Sequence, residues 1–199
     1  MNDHEIPDAP RRIGRPSLKD QRRREIVEAF IELVAAYGLE HVSLDDVAAD
    51  AGVQRAALRH FVGNRDQLIE AAIAEITRLA LAGLEVRLSL TEVIAMLFDP
   101  GRMKSFDVGE RTWSELLPEA MRSPDTRAVI KECYDELIAL ISHALRRQHP
   151  TATRSQIADT AYAIACMAEH NYVFQRLGYP LARCKGLKEA ALALAERLD

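Results

Sequence analysis

Ser43-Leu44-Asp45-Asp46-Val47-Ala48-Ala49-Asp50-Ala51-Gly52-Val53-Gln54-Arg55-Ala56-Ala57-Leu58-Arg59-His60-Phe61 reads as a helix, a tight corner and a second helix. Ser43 caps the first helix by accepting a backbone N–H, and Asp45 and Asp46 suit its positive end. Leu44, Val47 and Ala48 share one face, and the small Ala48 lets another helix cross closely. Gly52 supplies the left-handed backbone angle that ends a helix without a Cβ penalty. Val53, Leu58 and Phe61 anchor the second helix, which leaves Gln54, Arg55, Arg59 and His60 pointing outward. This is the layout of a helix-turn-helix, whose second helix enters the DNA major groove. An ordinary αα-hairpin shares the glycine corner but has no reason to carry a basic outer face.

Working outward, Leu18 to Tyr37 forms a helix, capped by Ser17 or Asp20, with Ile26, Ala29, Phe30, Leu33 and Val34 as its apolar stripe and Gly38 as its stop. Two short helices cannot enclose a core, so this third one is required. Residues 1–17 hold Pro7, Pro10, Gly14 and Pro16 among polar side chains and read as a flexible basic arm. Its Arg11-Arg12-Ile13-Gly14-Arg15-Pro16 run lays arginines along phosphates or into a narrow minor groove, with Arg15 the candidate contact. After the Gly63-Asn64 turn, a longer helix capped by Asn64 or Asp66 runs from Arg65 to about Leu88 and joins the N-terminal unit to the rest.

Further helices follow at Thr91–Phe98, Glu110–Met121 with a break or kink made possible by Pro118, Pro124–Gln148, Ser155–Leu177 and Leu187–Leu198. The expected fold is all-α. A three-helix helix-turn-helix domain (18–64) is joined to a larger helical domain for effector binding and dimerisation (65–199).

Composition agrees. Of 199 residues, 48% are hydrophobic and only 6% aromatic, with few glycines and prolines, which favours helices. The formal charge of −4 excludes a uniformly basic nucleic-acid coat. Positive charge is instead gathered in Arg11, Arg12, Arg15, Lys19, Arg22, Arg23 and Arg24. Cys133, Cys166 and Cys184 are odd in number and form no CxxC pair, so neither a disulfide framework nor a structural zinc site is expected. Cys166 and His170 share a helix face, but two ligands make no metal site. No apolar run spans a bilayer and no signal core is visible, so a soluble cytoplasmic protein without a membrane is expected. No nucleophile–base–acid set and no Gly-rich phosphate loop argues for an enzyme, and no cofactor is expected.

Residues 22–72 resemble the DNA-binding domain of the tetracycline-repressor (TetR) family of bacterial transcriptional regulators. The resemblance runs through Gly38, Ser43, Val47-Ala48, Ala51-Gly52-Val53, Leu58, His60, Arg65-Asp66 and Leu68. Where the family usually opens its recognition helix with a Ser-Lys-Gly-Thr-Leu-Tyr-like segment, this chain has Gln54-Arg55-Ala56-Ala57-Leu58-Arg59. Arg59 stands for the frequent tyrosine, and Val62 for a frequent phenylalanine. The resemblance implies a repressor released from a double-stranded DNA operator by a small-molecule effector. The same motif used for protein–protein contacts without operator binding is the alternative.

Arg55 and Gln54 suit base edges, since arginine pairs two donors with guanine and glutamine makes a paired contact with adenine; Ala56 and Ala57 offer methyls to thymine. Arg59, His60, Arg65 and the Ser43 helix start suit phosphates. An effector pocket is expected among Met96, Phe98, Met103, Phe106, Trp113, Met121, Tyr134, Met167, His170, Asn171 and Phe174, which mix adaptable apolar groups with a few polar ones. The two long helices are apolar on more than one face. Ile130, Tyr134, Leu137 and Ile141 make one line, and Val129, Cys133, Leu140 and Ala144 another. Ala158, Ala161, Ala165 and Ala168 permit close approach, so a homodimer through a four-helix interface is expected.

Overall fold

In the computed structural model, residues 18–101 and 107–198 are described; the 1–17 arm with Arg15, and Met103 and Phe106, lie outside them. Among the described residues the chain is helical and has no β-strand. The helices are α1 (Leu18–Tyr37), α2 (Leu44–Asp50), α3 (Arg55–Val62), α4 (Arg65–Ala80), α5 (Leu90–Leu97), α6 (Asp107–Arg122), α7 (Pro124–Gln148), α8 (Arg154–Arg176) and α9 (Ala182–Ala195). Short 3₁₀ turns occupy Leu39–His41 and Glu196–Leu198.

The helix starts are set by local side chains. Ser43 accepts from the Asp46 N–H while the Ser43 N–H donates to the Asp46 carboxylate, a reciprocal capping box. The Ser43 hydroxyl, then the Ser43 N–H, both donating to the Asp46 carboxylate, hold that carboxyl below the usual carboxylate range. Asn64 with Gln67, Ser89 with Glu92 and Thr153 with Gln156 repeat the device at α4, α5 and α8. Ser123 caps α7 and Pro124 sits in its first turn, where a missing N–H costs nothing. Gly52 turns the corner between α2 and α3 at φ +63°.

Two hydrophobic cores result. The first joins α1, α2, α3 and α4 to Trp113, Leu116 and Ala120 of α6 and Ile130 of α7. Phe30 and Ile26 of α1 are fully buried at its centre, each worth about 1.5–3 kcal/mol of burial. The packing therefore runs past residue 64 without a gap, because α4 supplies Leu68, Ile69, Ala72, Ile73 and Ile76 to this same core. The second core gathers α5, α7, α8 and α9, with Ile94, Ile141, Leu145, Ile157, Ala161 and Ile164 inside.

Four expectations are corrected. The helix from Arg65 stops at Ala80 rather than near Leu88. The Leu81 N–H bonds back to Thr77, Gly83 adopts φ +82°, and the turn drops Leu84 into the second core. α6 passes through Pro118 unbroken. The lost backbone bond lies on the exposed side, while buried Leu116 and Ala120 flank it. The last helix begins at Ala182, not Leu187, fixed early by the Cys184 thiol donating to Asn171 Oδ1 at 3.3 Å. The Val129–Cys133–Leu140–Ala144 line of α7 turns inward: Ala144 is buried in the second core, and Val129 and Cys133 pack against the first.

Gly63 and Gly52 make a test of this local logic. Both have positive φ, but a Cβ on Gly63 would meet Gln67 Oε1 at 1.9 Å, whereas one on Gly52 meets nothing within 4 Å. Gly52→Ala is expected to cost only the left-handed strain, about 1–2 kcal/mol. Gly63→Ala adds the loss of the Gln67 cap of α4, about 1 kcal/mol more. Urea unfolding of the two variants checks the order, and equal midpoints would reject it.

Candidate nucleic-acid interface and cavity

The α2–α3 corner presents one continuous outer face. On α3, Leu58 and Val62 are buried one turn apart, so Arg55, Ala56, Arg59 and His60 are all exposed on the opposite side. Gln54 stands at the N-cap position, exposed, with no capping bond to occupy its amide. Ala57 is half-buried at the edge of the face. Arg55 is paired with Asp45 of the first turn of α2, on the surface. An exposed pair of this kind is worth little in water, so the guanidinium is readily given up to a base or phosphate.

Arg59 and His60 line a shallow depression together with Arg23 of α1, whose guanidinium reaches toward the Phe61 carbonyl at 3.5 Å. Arg23 was visible in the sequence only as one of several basic residues. Folding brings it from 38 residues away onto the recognition helix. Ser43 Oγ serves the α2 cap and donates to the Asp46 carboxylate, so the acidic partner stands beside the expected phosphate position.

Arg65 is corrected from a phosphate contact to a structural tie. Its half-buried guanidinium donates to the carbonyls of Val42 and Leu39, both at 2.5 Å, and so fixes the turn that leads into α2. Sequence spacing gives no hint of this, since the partners lie 23 and 26 residues earlier.

Beneath this unit, α4, α6, α7 and α8 wall a small cleft that opens to solvent. Its lining is Ile76, Thr77, Ala80, Leu81, Glu110, Trp113, Cys133, Tyr134, Leu137 and Glu169. Of the expected pocket residues it contains Trp113 and Tyr134. Phe98 is instead buried in the second core, with Met96 and Met167 packed against that core. Asn171 is buried beside Cys184. Met121, His170 and Phe174 face outward, Met121 being 69% exposed. Cys166 and His170 share that outer face of α8, and no metal-binding cluster exists among the described residues.

The cleft is ordered by a short hydrogen-bond chain. Trp113 Nε1 donates to the Tyr134 hydroxyl at 2.9 Å, and that hydroxyl donates to Glu169 Oε1 at 2.5 Å. The two rings meet edge to face, with centroids 5.7 Å apart. Burial, then the Glu169 charge, pushes the Tyr134 hydroxyl up, so it stays a donor. Glu110 is pushed up to about 7, first by burial and then by the neighbouring Glu169 carboxylate. These two carboxylates were missed because an isolated glutamate in a helical sequence reads as a solvated face.

The wall of the cleft is also tied to the DNA-facing unit. On α6, Thr112 donates its hydroxyl to the Ile31 carbonyl at 2.8 Å, and Glu115 accepts from the Leu39 N–H at 3.2 Å. Trp113 lies between those two grips. No helix among the described residues is long and apolar enough to cross a membrane.

Residues 26–72 match the family described as bacterial regulatory proteins, tetR family. The chain is 27% identical to the HTH-type transcriptional regulator BetI of Agrobacterium fabrum over 74% of each chain. It is also 27% identical to BetI of Brucella anthropi, over 81% of this chain and 84% of that one. Among solved structures, a TetR transcription regulator from Haloarcula marismortui superposes with a TM-score of 0.74 at 11% identity, covering 89% of this chain and 98% of that one. A transcriptional regulator from Saccharomonospora viridis in complex with choline superposes at 0.68 with 19% identity, over 88% and 96%. The matched segment falls on α1 to α4, with the corner between α2 and α3 shaped as described, so the chain is similar in sequence and fold to DNA-binding transcriptional regulators of the TetR family.

Proposed function

We propose that the protein is a homodimeric cytoplasmic repressor, released from its operator by a small molecule taken into the α4–α6–α7–α8 cleft, and that it binds without turnover. The observation that carries this reading is the outer face of α3. It places Gln54, Arg55, Ala56, Arg59 and His60 free of the core on a helix short enough to lie in a major groove.

The dimer is supported by α8, where Tyr162, Cys166, His170, Val173 and Leu177 recur at helical spacing on the exposed side. Phe174, Tyr179 and Leu181 extend the same apolar surface. The small Ala161 and Ala165 face the second core instead. Two recognition helices about 34–36 Å apart reach successive major grooves, which one copy cannot do.

The cleft is placed to change that spacing. Ile76, Thr77 and Ala80 of α4 and Trp113 of α6 line it, and both helices continue into the first core. A ligand that prefers one arrangement of α4 and α6 shifts the population between DNA-competent and DNA-incompetent dimers. A coupling of about 1–3 kcal/mol is enough. The choline in one structural relative shows that a small molecule binds that protein, in keeping with a ligand here.

A salt-titrated mobility shift on operators selected from randomised duplexes tests the reading. Affinity is expected to fall steeply as salt rises, because bound phosphates displace counterions. Salt-independent or absent DNA binding would favour a motif used for protein contacts. Arg55→Ala is expected to relax base preference, at about 1–3 kcal/mol for the correct site. Arg59→Ala is expected to weaken all sequences alike, with stability unchanged within about 0.5 kcal/mol. Arg65→Ala is expected to behave differently, lowering stability by roughly 2–4 kcal/mol as two charge-assisted bonds are lost.

Val173→Glu should convert the dimer to monomer in analytical ultracentrifugation and abolish binding to a palindromic site. A variant that stays dimeric would place the interface elsewhere.

A further inference from the structure

We propose that the cleft between α4, α6, α7 and α8 takes a small organic cation, held between the Glu110 and Glu169 carboxylates and the Trp113 and Tyr134 rings. The proposal deepens the effector reading above and rests on it.

Charge bookkeeping around the cleft motivates it. Asp107 accepts from Arg176 at 3.1 Å and from the Tyr172 hydroxyl at 3.3 Å, so the nearby guanidinium is engaged at the rim. Glu169 has one hydroxyl donor, Tyr134, and Glu110 faces Glu169 from the neighbouring helix wall. Two carboxylates thus share a cleft whose lining, among the described residues, includes no lysine or arginine. Bringing like charges together away from water is costly, and a positively charged guest relieves both the repulsion and the desolvation.

The other walls fix the class of guest. Ile76, Ala80, Leu81 and Leu137 offer no oxygen ligands. A hard inorganic ion, which takes six or more oxygens, is therefore poorly served. An ammonium carrying carbon substituents buries its apolar surface against these residues while its charge meets the carboxylates and the aromatic rings.

Protonation ties binding to pH. Among the described residues, the titratable or charged groups facing Glu110 are Asp107 on its own helix, Glu169, Tyr172 and Arg176 on α8, and Tyr134 and Cys133 on α7; α4 presents none. Glu110, with its carboxyl pushed up to about 7, is half protonated near neutrality. A cation expels that proton, so affinity should rise by about tenfold between pH 6 and pH 8.

Trp113 is the sole tryptophan of the sequence, so its emission reports on the cleft directly. The full-length protein is titrated with tetraethylammonium, with choline, and with 3,3-dimethyl-1-butanol, the uncharged carbon isostere of choline. A saturable emission change is expected with at least one cation, and binding of choline, where seen, should exceed that of its isostere by about tenfold or more. Glu110→Gln should weaken the cation by about tenfold and flatten the pH dependence. Glu169→Gln should weaken it similarly while its amide oxygen still accepts from Tyr134. Thermal unfolding of both variants confirms that the fold is kept.

Equal binding of choline and its isostere, no saturable response to either cation, or unaltered affinity in both folded variants would overturn the proposal. Operator binding by the same wild-type sample separates the two readings. DNA binding without a cation response rejects the cation alone, and a cation response without DNA binding rejects the regulator alone.

Discussion

The dependence of two very short helices on their neighbours governs this structure. α2 has seven residues and α3 eight, too few for either to hold itself in water. Each survives because Leu44, Val47, Ala48, Leu58 and Val62 are pressed into a core whose bulk comes from α1 and α4. The reading head therefore cannot be moved independently of those two helices. Anything that displaces α4 or the end of α1 displaces the outer face of α3.

The ties that enforce this are polar as well as apolar. Arg65 holds the carbonyls of Leu39 and Val42, Glu115 holds the Leu39 N–H, and Thr112 holds the Ile31 carbonyl. The Arg65 and Glu115 bonds converge on the turn between α1 and α2, and the Thr112 bond holds α1 itself. The Thr112 bond is buried, away from competing water. α6 thereby links the orientation of the recognition unit to the placing of Trp113 and Glu110, which face the cleft on the same helix.

The cleft contrasts with the rest of the interior. Apart from Trp113 at the edge of the first, both cores are built mainly from aliphatic side chains and alanines, with Phe30 and Phe98 as large aromatic fillers. Here a tryptophan, a tyrosine and one carboxylate are linked by hydrogen bonds, Trp113 to Tyr134 to Glu169, and a second carboxylate, Glu110, is pushed up to about 7 beside them. Such a constellation adds nothing to packing stability that a leucine would not supply. Its place on a helix tied to the α1–α2 turn is what suits the cleft to the regulatory role proposed for it.

Sequence by itself determined the elements whose causes are local. Ser43 with Asp46, Gly52 at the corner, Asn64 before α4 and Pro124 opening α7 each act within a few residues, and the helix-turn-helix with its outward Arg55, Arg59 and His60 follows from them. Tertiary structure alone decided whatever depended on distant partners. The guanidinium of Arg65 looked free for phosphate until carbonyls more than twenty residues away claimed it. Met121 and Phe174 shared the composition of a pocket lining yet face outward. Glu110 and Glu169, unremarkable on their own helices, acquire their chemistry only when α6 and α8 close on the same cleft. The reason is that periodicity fixes which residues share a face of one helix, while the packing of helices against one another fixes what that face meets.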